Sequence, residues 1–404
     1  MYKWLLVVML SAAFFFHQAD RALFGLLTIP IQEDLKLTDI QIGWINTILS
    51  WTLAAMTVIA GFVGDRFSRK WIIAVSLVAW SLMTVCMGFV GGFIGALFFR
   101  SIATGVGESF YAPSAYALLA SHHRETRSLA LSIHQAALYI GLMVSGIVAA
   151  WVLGLLGSWR GVFIAFGLAG AVLGLVFMRT LKDEKSPVRT GSSMRLRDSL
   201  KVYFCNPSAL CATAGFAAIV FVNNAYLFWA PKFAAQKFAI GVGEAGEGVM
   251  LWHHLLALAA ILLGGAVTDR FVAGMPRFRL GFQIVALLFG APALLWIGFA
   301  PSFAAMLVAS ALYGVFRGFF EVNTHASLFD VIPPAHRSAA VGFLNMIAFF
   351  VGGLSGVAMG ALAQKYGIAG FERGFAIMAA SYAVAALLMA ISFFFTFKKN
   401  RVTE

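Results

Sequence analysis

Charge is what this sequence lacks most. Asp, Glu, Lys and Arg together make up 11% of its 404 residues, where a soluble domain carries about 25%. With 61% hydrophobic residues and 39 Phe, that shortage excludes a large soluble core and predicts an all-α chain crossing a membrane many times. Cysteine is scarce too. Cys86, Cys205 and Cys211 lie in or beside apolar runs, form no CxxC pair, and read as small packing side chains. HExxH, GxSxG and P-loop signatures are missing, so nothing supports an enzyme, a cofactor or a metal. The net charge of +12 does not mean nucleic acid, because it is distributed as membrane proteins distribute it.

About twelve windows are long enough to span, from 3–30 to 373–397. The first begins like a signal peptide, with Lys3 ahead of an apolar run. The run continues past His17 to Pro30 without a small-residue cleavage site, so it is expected to be a span. Twenty of the 29 Lys and Arg fall at the N-terminus, the even-numbered loops and the C-terminus. The positive-inside rule therefore predicts cytoplasmic termini, and a bacterial inner membrane is the expected location. The polar stretch from Lys182 to Pro207 divides the chain into an N-terminal six-helix bundle (1–181), a cytoplasmic linker (182–207) and a C-terminal six-helix bundle (208–404). The linker's basic residues suit anionic lipid headgroups.

The halves echo each other. Gly61-Phe62-Val63-Gly64-Asp65-Arg66-Phe67-Ser68-Arg69-Lys70 closes the second span, and Gly265-Ala266-Val267-Thr268-Asp269-Arg270-Phe271 closes the eighth. Many transporters are built from such a repeat, with the site near the membrane midplane. The glycines let helix ends approach closely, and Asp65 can accept bonds from a helix N-terminus or an arginine. Gly61, Asp65, Arg66, Arg69, Asp269 and Arg270 are thus expected to form a cytoplasmic gate.

The G-x-x-x-D-R-x-x-R-K loop, its weaker copy and the twelve spans resemble the major facilitator superfamily over essentially the whole chain. That resemblance implies two pseudo-symmetric six-helix bundles giving alternating access by a rocker switch. More narrowly, Asp20-Arg21, the arginine ahead of Gly105-Val106-Gly107-Glu108, and Trp229-Ala230-Pro231 ending the seventh span resemble the organic anion:cation symporters. Gly61 to Lys70 and Gly105 to Tyr111 are also similar to Spinster-type lipid transporters. Both branches place the arginine seven residues before the glutamate, whereas Arg100 lies eight before Glu108. In an unbroken helix the extra residue turns Arg100 about a hundred degrees from the expected face.

Six ionisable residues interrupt the apolar spans: Asp20, Arg21, Arg100, Glu108, Arg317 and Glu321. At roughly 2.5–3.5 kcal/mol each, six lone charges would cost about 15–20 kcal/mol, so they must face each other or water. The topology permits an Asp20–Arg100 pair. Glu108, buried without an opposite charge on its own helix, suits proton binding and release, assisted by Asp20. Arg317 and Glu321 lie one turn apart. Arg21 and Arg317 are the favoured anion ligands, since a guanidinium grips both oxygens of a carboxylate, and Arg100 and Glu321 join them. A structural ion-pair network is the competing reading. Tyr111, His134, Gln135, Asn223 and Asn345 are polar companions that suit a hydroxyl-rich ligand, or simply bond helices together. His122 and His123, in a cytoplasmic loop, are expected to be solvated.

The expected function is symport of a small organic anion, such as a sugar acid, with a proton; sodium stays open because carboxylates serve both. The chain is expected to work as a monomer among membrane lipids. The alternative is a Spinster-like carrier of lysophospholipid or sphingoid substrates, which would show an apolar cavity open sideways to lipid.

Overall fold

A computed structural model describes residues 2–123, 126–182, 196–272 and 274–402, and every regular element among them is helical. The long segments are α1 (Tyr2–Leu26), α2 (Asp39–Arg66), α3 (Arg69–Met87), α4 (a broken helix over 93–122), α5 (Arg127–Leu156) and α6 (Trp159–Thr180). They continue with α7 (Pro207–Phe238), α8 (Val242–Val272), α9 (Phe278–Phe299), α10 (Phe303–Phe329), α11 (Arg337–Tyr366) and α12 (Ile368–Asn400). Ten of these are long and apolar enough to cross a membrane. The other two are α2 and the interrupted α4, which complete the twelve expected from the sequence.

Local chemistry sets the ends. Thr38 caps α2 with a capping box closed by Gln41, and Ser302 caps α10 by accepting from the Ala305 amide. Leu262, Leu263, Val384 and Leu387 are among the exposed apolar side chains, as expected of helices whose outer faces meet lipid.

Two compact units emerge. One comprises Met1–Thr190 with Leu227–Leu251, the other Gly191–Tyr226 with Trp252–Glu404. In the first, α1 packs along α5 and α3 along α6. Its core runs from Leu6, Leu10 and Phe14 through Leu77 and Trp80 to Tyr111, Leu118 and Phe177. In the second, α9 packs against α10 and α12, and Ala217, Val220 and Ala348 join α7 to α11.

Three expectations change. The seventh span does not stop at Pro231; α7 carries that proline inside it and runs on to Phe238. Pro231 cannot donate to the Leu227 carbonyl. Gly25 packs against that oxygen so closely that a Cβ there would lie 2.7 Å away. The linker ends in a helix, Leu196–Phe204, because Leu196, Leu200 and Tyr203 recur at helical spacing; residues 183–195 lie outside the described residues. His123 is buried rather than solvated, joining the Lys3 carbonyl and the Thr126 hydroxyl, each at 2.8 Å.

Candidate functional site

In the first unit, α1 and α4 bring four of the six intramembrane charges together. Asp20 is buried and accepts a 3.1 Å hydrogen bond from the Thr84 hydroxyl of α3. Its Oδ2 lies 3.7 Å from Arg100 Nη1, and Arg100 Nη2 donates to the Arg21 carbonyl at 2.9 Å. Glu108 Oε2 lies 3.7 Å from both Arg21 Nε and His17 Nε2. Neither Glu108 oxygen accepts a hydrogen bond from the described residues. Attraction in a dry interior offsets much of the cost of burying these ions, but their hydrogen bonding is incomplete. Such a carboxyl can exchange a proton without first breaking strong bonds.

The one-residue offset of Arg100 is absorbed by the helix itself. Leu97–Ala103 is a π turn, in which each amide reaches back five residues instead of four and one extra residue fits into the coil. The Thr104 amide and hydroxyl both bond the Phe99 carbonyl, the hydroxyl at 2.7 Å. Ser101, inside the turn, donates to the Ile45 carbonyl of α2 at 2.6 Å. Arg100 therefore faces Asp20 while Glu108 keeps its place beside Arg21. The rotation expected of a regular helix does not occur. Beyond the turn, Gly107 lets α4 approach α3 so nearly that a Cβ would lie 2.9 Å from the Trp80 side chain.

His17 was missed in the sequence. It lies four residues before Arg21 and therefore on the same face of α1. That spacing was the available signal.

Tyr111 and His134 are fully buried and meet at 3.2 Å, and the Tyr111 hydroxyl also donates to the Leu10 carbonyl at 2.6 Å. Phe14 stacks on His134. Gln135 accepts from the Tyr116 hydroxyl at 2.9 Å. These three residues knit α1, α4 and α5 together.

In the second unit, Arg317 is buried on α10. Its Nε donates to Glu321 at 2.9 Å, one turn on, and its Nη1 donates to His253 Nε2 at 2.9 Å. The other imidazole nitrogen faces the Ser310 carbonyl at 3.3 Å. Because Arg317 can only donate, His253 must present an unprotonated Nε2 and carry its hydrogen on Nδ1. Tyr226 and Tyr313 pack on the imidazole. Asn223 and Asn345 are half-buried. Asp269 and Arg270 are exposed near the end of α8, and Arg69 is half-buried in the first turn of α3. The surroundings of Gly61 and the side chains of Asp65 and Arg66 lie outside the described residues.

Helices that bury acid–base sets where lipid would otherwise surround them define a membrane transport protein. The chain belongs to the Major Facilitator Superfamily, whose model matches residues 9–289 and 254–403. It is 25% identical to a probable galactarate/D-glucarate transporter of Bacillus subtilis, over 66% of this chain and 65% of that protein. It is 26% identical to the protein spinster of Drosophila melanogaster, over 87% of this chain and 60% of that protein. The chain thus spans less than two thirds of these two relatives. A D-galactonate transporter of Escherichia coli is 23% identical, over 91% of this chain and 90% of its own length. Among solved structures, a bacterial homolog of the human lysosomal transporter Spinster, inward-facing and unoccupied, superposes with a TM-score of 0.86 at 19% identity. It covers 100% of this chain and 99% of that one, and the likeness is one of fold. The chain is a multi-pass membrane protein of that superfamily.

Proposed function

We propose that the chain is a proton-coupled symporter of a small organic anion, such as a sugar acid, carrying it inward across a bacterial inner membrane with both termini cytoplasmic. One observation carries the reading: Arg21, a quarter exposed, lies beside the fully buried Glu108 carboxyl. An anion that pairs with Arg21 cancels the positive charge facing Glu108 and so favours a proton there. Binding of anion and proton is then mutually reinforcing, as symport requires. Asp20, held by Arg100 and Thr84, is the second proton-coupling carboxyl. Arg317 offers a guanidinium in the second unit, already oriented by Glu321 and His253. The names of the galactarate/D-glucarate and D-galactonate transporters support sugar acids as the substrate class.

The test is reconstitution with labelled D-galactonate. Glu108→Gln is expected to lose proton-driven uptake yet keep exchange of labelled for unlabelled substrate. Loss of both would remove Glu108 from the coupling role. Uptake that persists in a sodium gradient with the proton gradient collapsed would assign sodium instead.

A second reading, transport of lysophospholipid or sphingoid lipids, has its own support. The second unit contains a cavity of about 670 Å³ lined by Leu210, Ala217, Phe221, Val351, Val384 and Leu388. Its only hydroxyls, Thr213 and Ser381, are bonded to the Ala209 and Met378 carbonyls, leaving walls suited to an aliphatic chain. A thermal-shift screen of sugar acids against lysolipids separates the two readings.

A further inference from the structure

His17 is a buried polar group that the proposed cycle does not use. Its Nδ1 lies 3.0 Å from the Gln18 amide nitrogen. That nitrogen can only donate, so Nδ1 accepts and the ring hydrogen sits on Nε2. Nε2 makes no hydrogen bond of ordinary geometry among the described residues and lies 3.7 Å from Glu108 Oε2, with the Glu108 main chain also beside the ring. The imidazole also packs on aromatic rings, edge-on to Trp80 of α3 and stacked with Tyr111 of α4.

The charged and titratable groups around it are Glu108, Arg100 and Tyr111 from α4, His134 from α5, and Asp20 and Arg21 on α1 itself. Arg100 and Arg21 are cations, and Tyr111 and His134 are bonded to each other. A third positive charge, on His17, would therefore meet two guanidinium groups. A neutral donor fits.

We infer that His17 is a positioning residue for Glu108: a neutral imidazole, fixed in one tautomer by Gln18, that aims its Nε2–H at the Glu108 carboxylate. The inference rests on the coupling role proposed for Glu108. Two nitrogens that can donate lie 3.7 Å from Oε2, one on a partly exposed guanidinium that a substrate anion would engage, the other on a shielded ring. When the anion takes Arg21, Glu108 takes its proton, and His17 Nε2 stays beside the carboxyl. As the proton leaves on the inner side, His17 is the donor that steadies the carboxylate that forms.

The test needs a readout that packing alone does not move. In infrared difference spectra after a pH jump, the carboxyl band of Glu108 is assigned by its loss in Glu108→Gln. His17→Phe, which keeps a flat ring between Trp80 and Tyr111, is expected to shift that band. His17→Gln, which restores an N–H near the Nε2 position, is expected to return it. Gln18→Leu leaves the imidazole in place but frees its tautomer, and should give a smaller shift, so the inference stays testable if His17→Phe folds poorly. A band that stays at the wild-type frequency in both His17→Phe and Gln18→Leu overturns it.

In vesicles, proton-driven uptake of D-galactonate by His17→Phe should have its half-maximal pH moved alkaline by about one unit, with counterflow retained. An unmoved profile in an active carrier also counts against His17. Failure of the wild type to move D-galactonate would instead strike the proposed substrate, leaving the infrared result to decide on His17.

Discussion

The Lys232 ammonium and the Asp39 carboxylate pair inside the first unit, joining α7 to the first turn of α2. Gln32 completes the set, accepting from Lys232 and donating to Asp39 at 3.0 Å. Lys232 is almost wholly buried and Asp39 is not, so the pair has an asymmetric cost of disruption.

Asp39→Asn should be the more damaging single change. It leaves a buried ammonium without its counter-ion and is expected to cost about 1–3 kcal/mol, seen as a lower unfolding temperature in detergent. Lys232→Met should cost less, because Asp39 keeps access to water. The double variant should recover most of the loss. Simple additivity of the two changes would show that the pair is not coupled.

Arg100 and Asp20 make the corresponding prediction within the charged cluster. Arg100→Met removes the guanidinium and leaves Asp20 with the Thr84 hydroxyl alone, a loss of about 3–5 kcal/mol for a buried pair. Uptake should fall more than tenfold. Adding Asp20→Asn should restore thermal stability but not uptake, which separates the structural from the transport role.

The π turn can be tested by counting residues. Deleting Ile102 should convert Leu97–Ala103 to a regular helix with the arginine seven residues before the glutamate, which keeps Arg100 turned toward Asp20. Uptake is then expected to stay within a few fold of wild type, as it should for Ile102→Ala, at an exposed position. Inserting one alanine after Ile102 should instead swing Arg100 about a hundred degrees relative to Glu108 and drop uptake to background. If the deletion abolishes transport in a stably folded carrier, holding the orientation of Arg100 is not all that the turn is for.

In the second unit, Arg317→Ala should abolish the thermal shift produced by sugar acids. His253→Phe keeps an aromatic ring against Tyr226 and Tyr313 but removes the acceptor that orients Arg317. It is expected to weaken sugar-acid binding about tenfold, measured by the concentration dependence of the same shift. An undiminished shift in Arg317→Ala would take Arg317 out of the binding site.

The charges were legible in the sequence because lipid makes every ionised side chain conspicuous, and Asp20, Arg100 and Glu108 do lie close together. The spans were legible for the same reason. The register of Arg100 was not, since a π turn leaves no mark in hydropathy and is fixed by contacts such as Ser101 to Ile45. The Tyr111–His134 bond was hidden because it joins α4 to α5, and no spacing within one helix reports it. The burial of Lys232 was not legible, since Pro231 just before it reads as the end of the seventh span. His17 went unnoticed because an uncharged imidazole in a Phe-rich run carries little hydropathic penalty.

In evolutionary terms the π turn is a stored insertion. A lineage that gains one codon within Leu97–Ala103 keeps both ends of α4 in their old orientation, because the wider coil holds the extra residue instead of passing its rotation along the helix. The stretches of α4 before and after the turn can then diverge in length without disturbing each other. An alignment to relatives drawn without a gap at this point would set every residue on one side of the turn against the wrong neighbour.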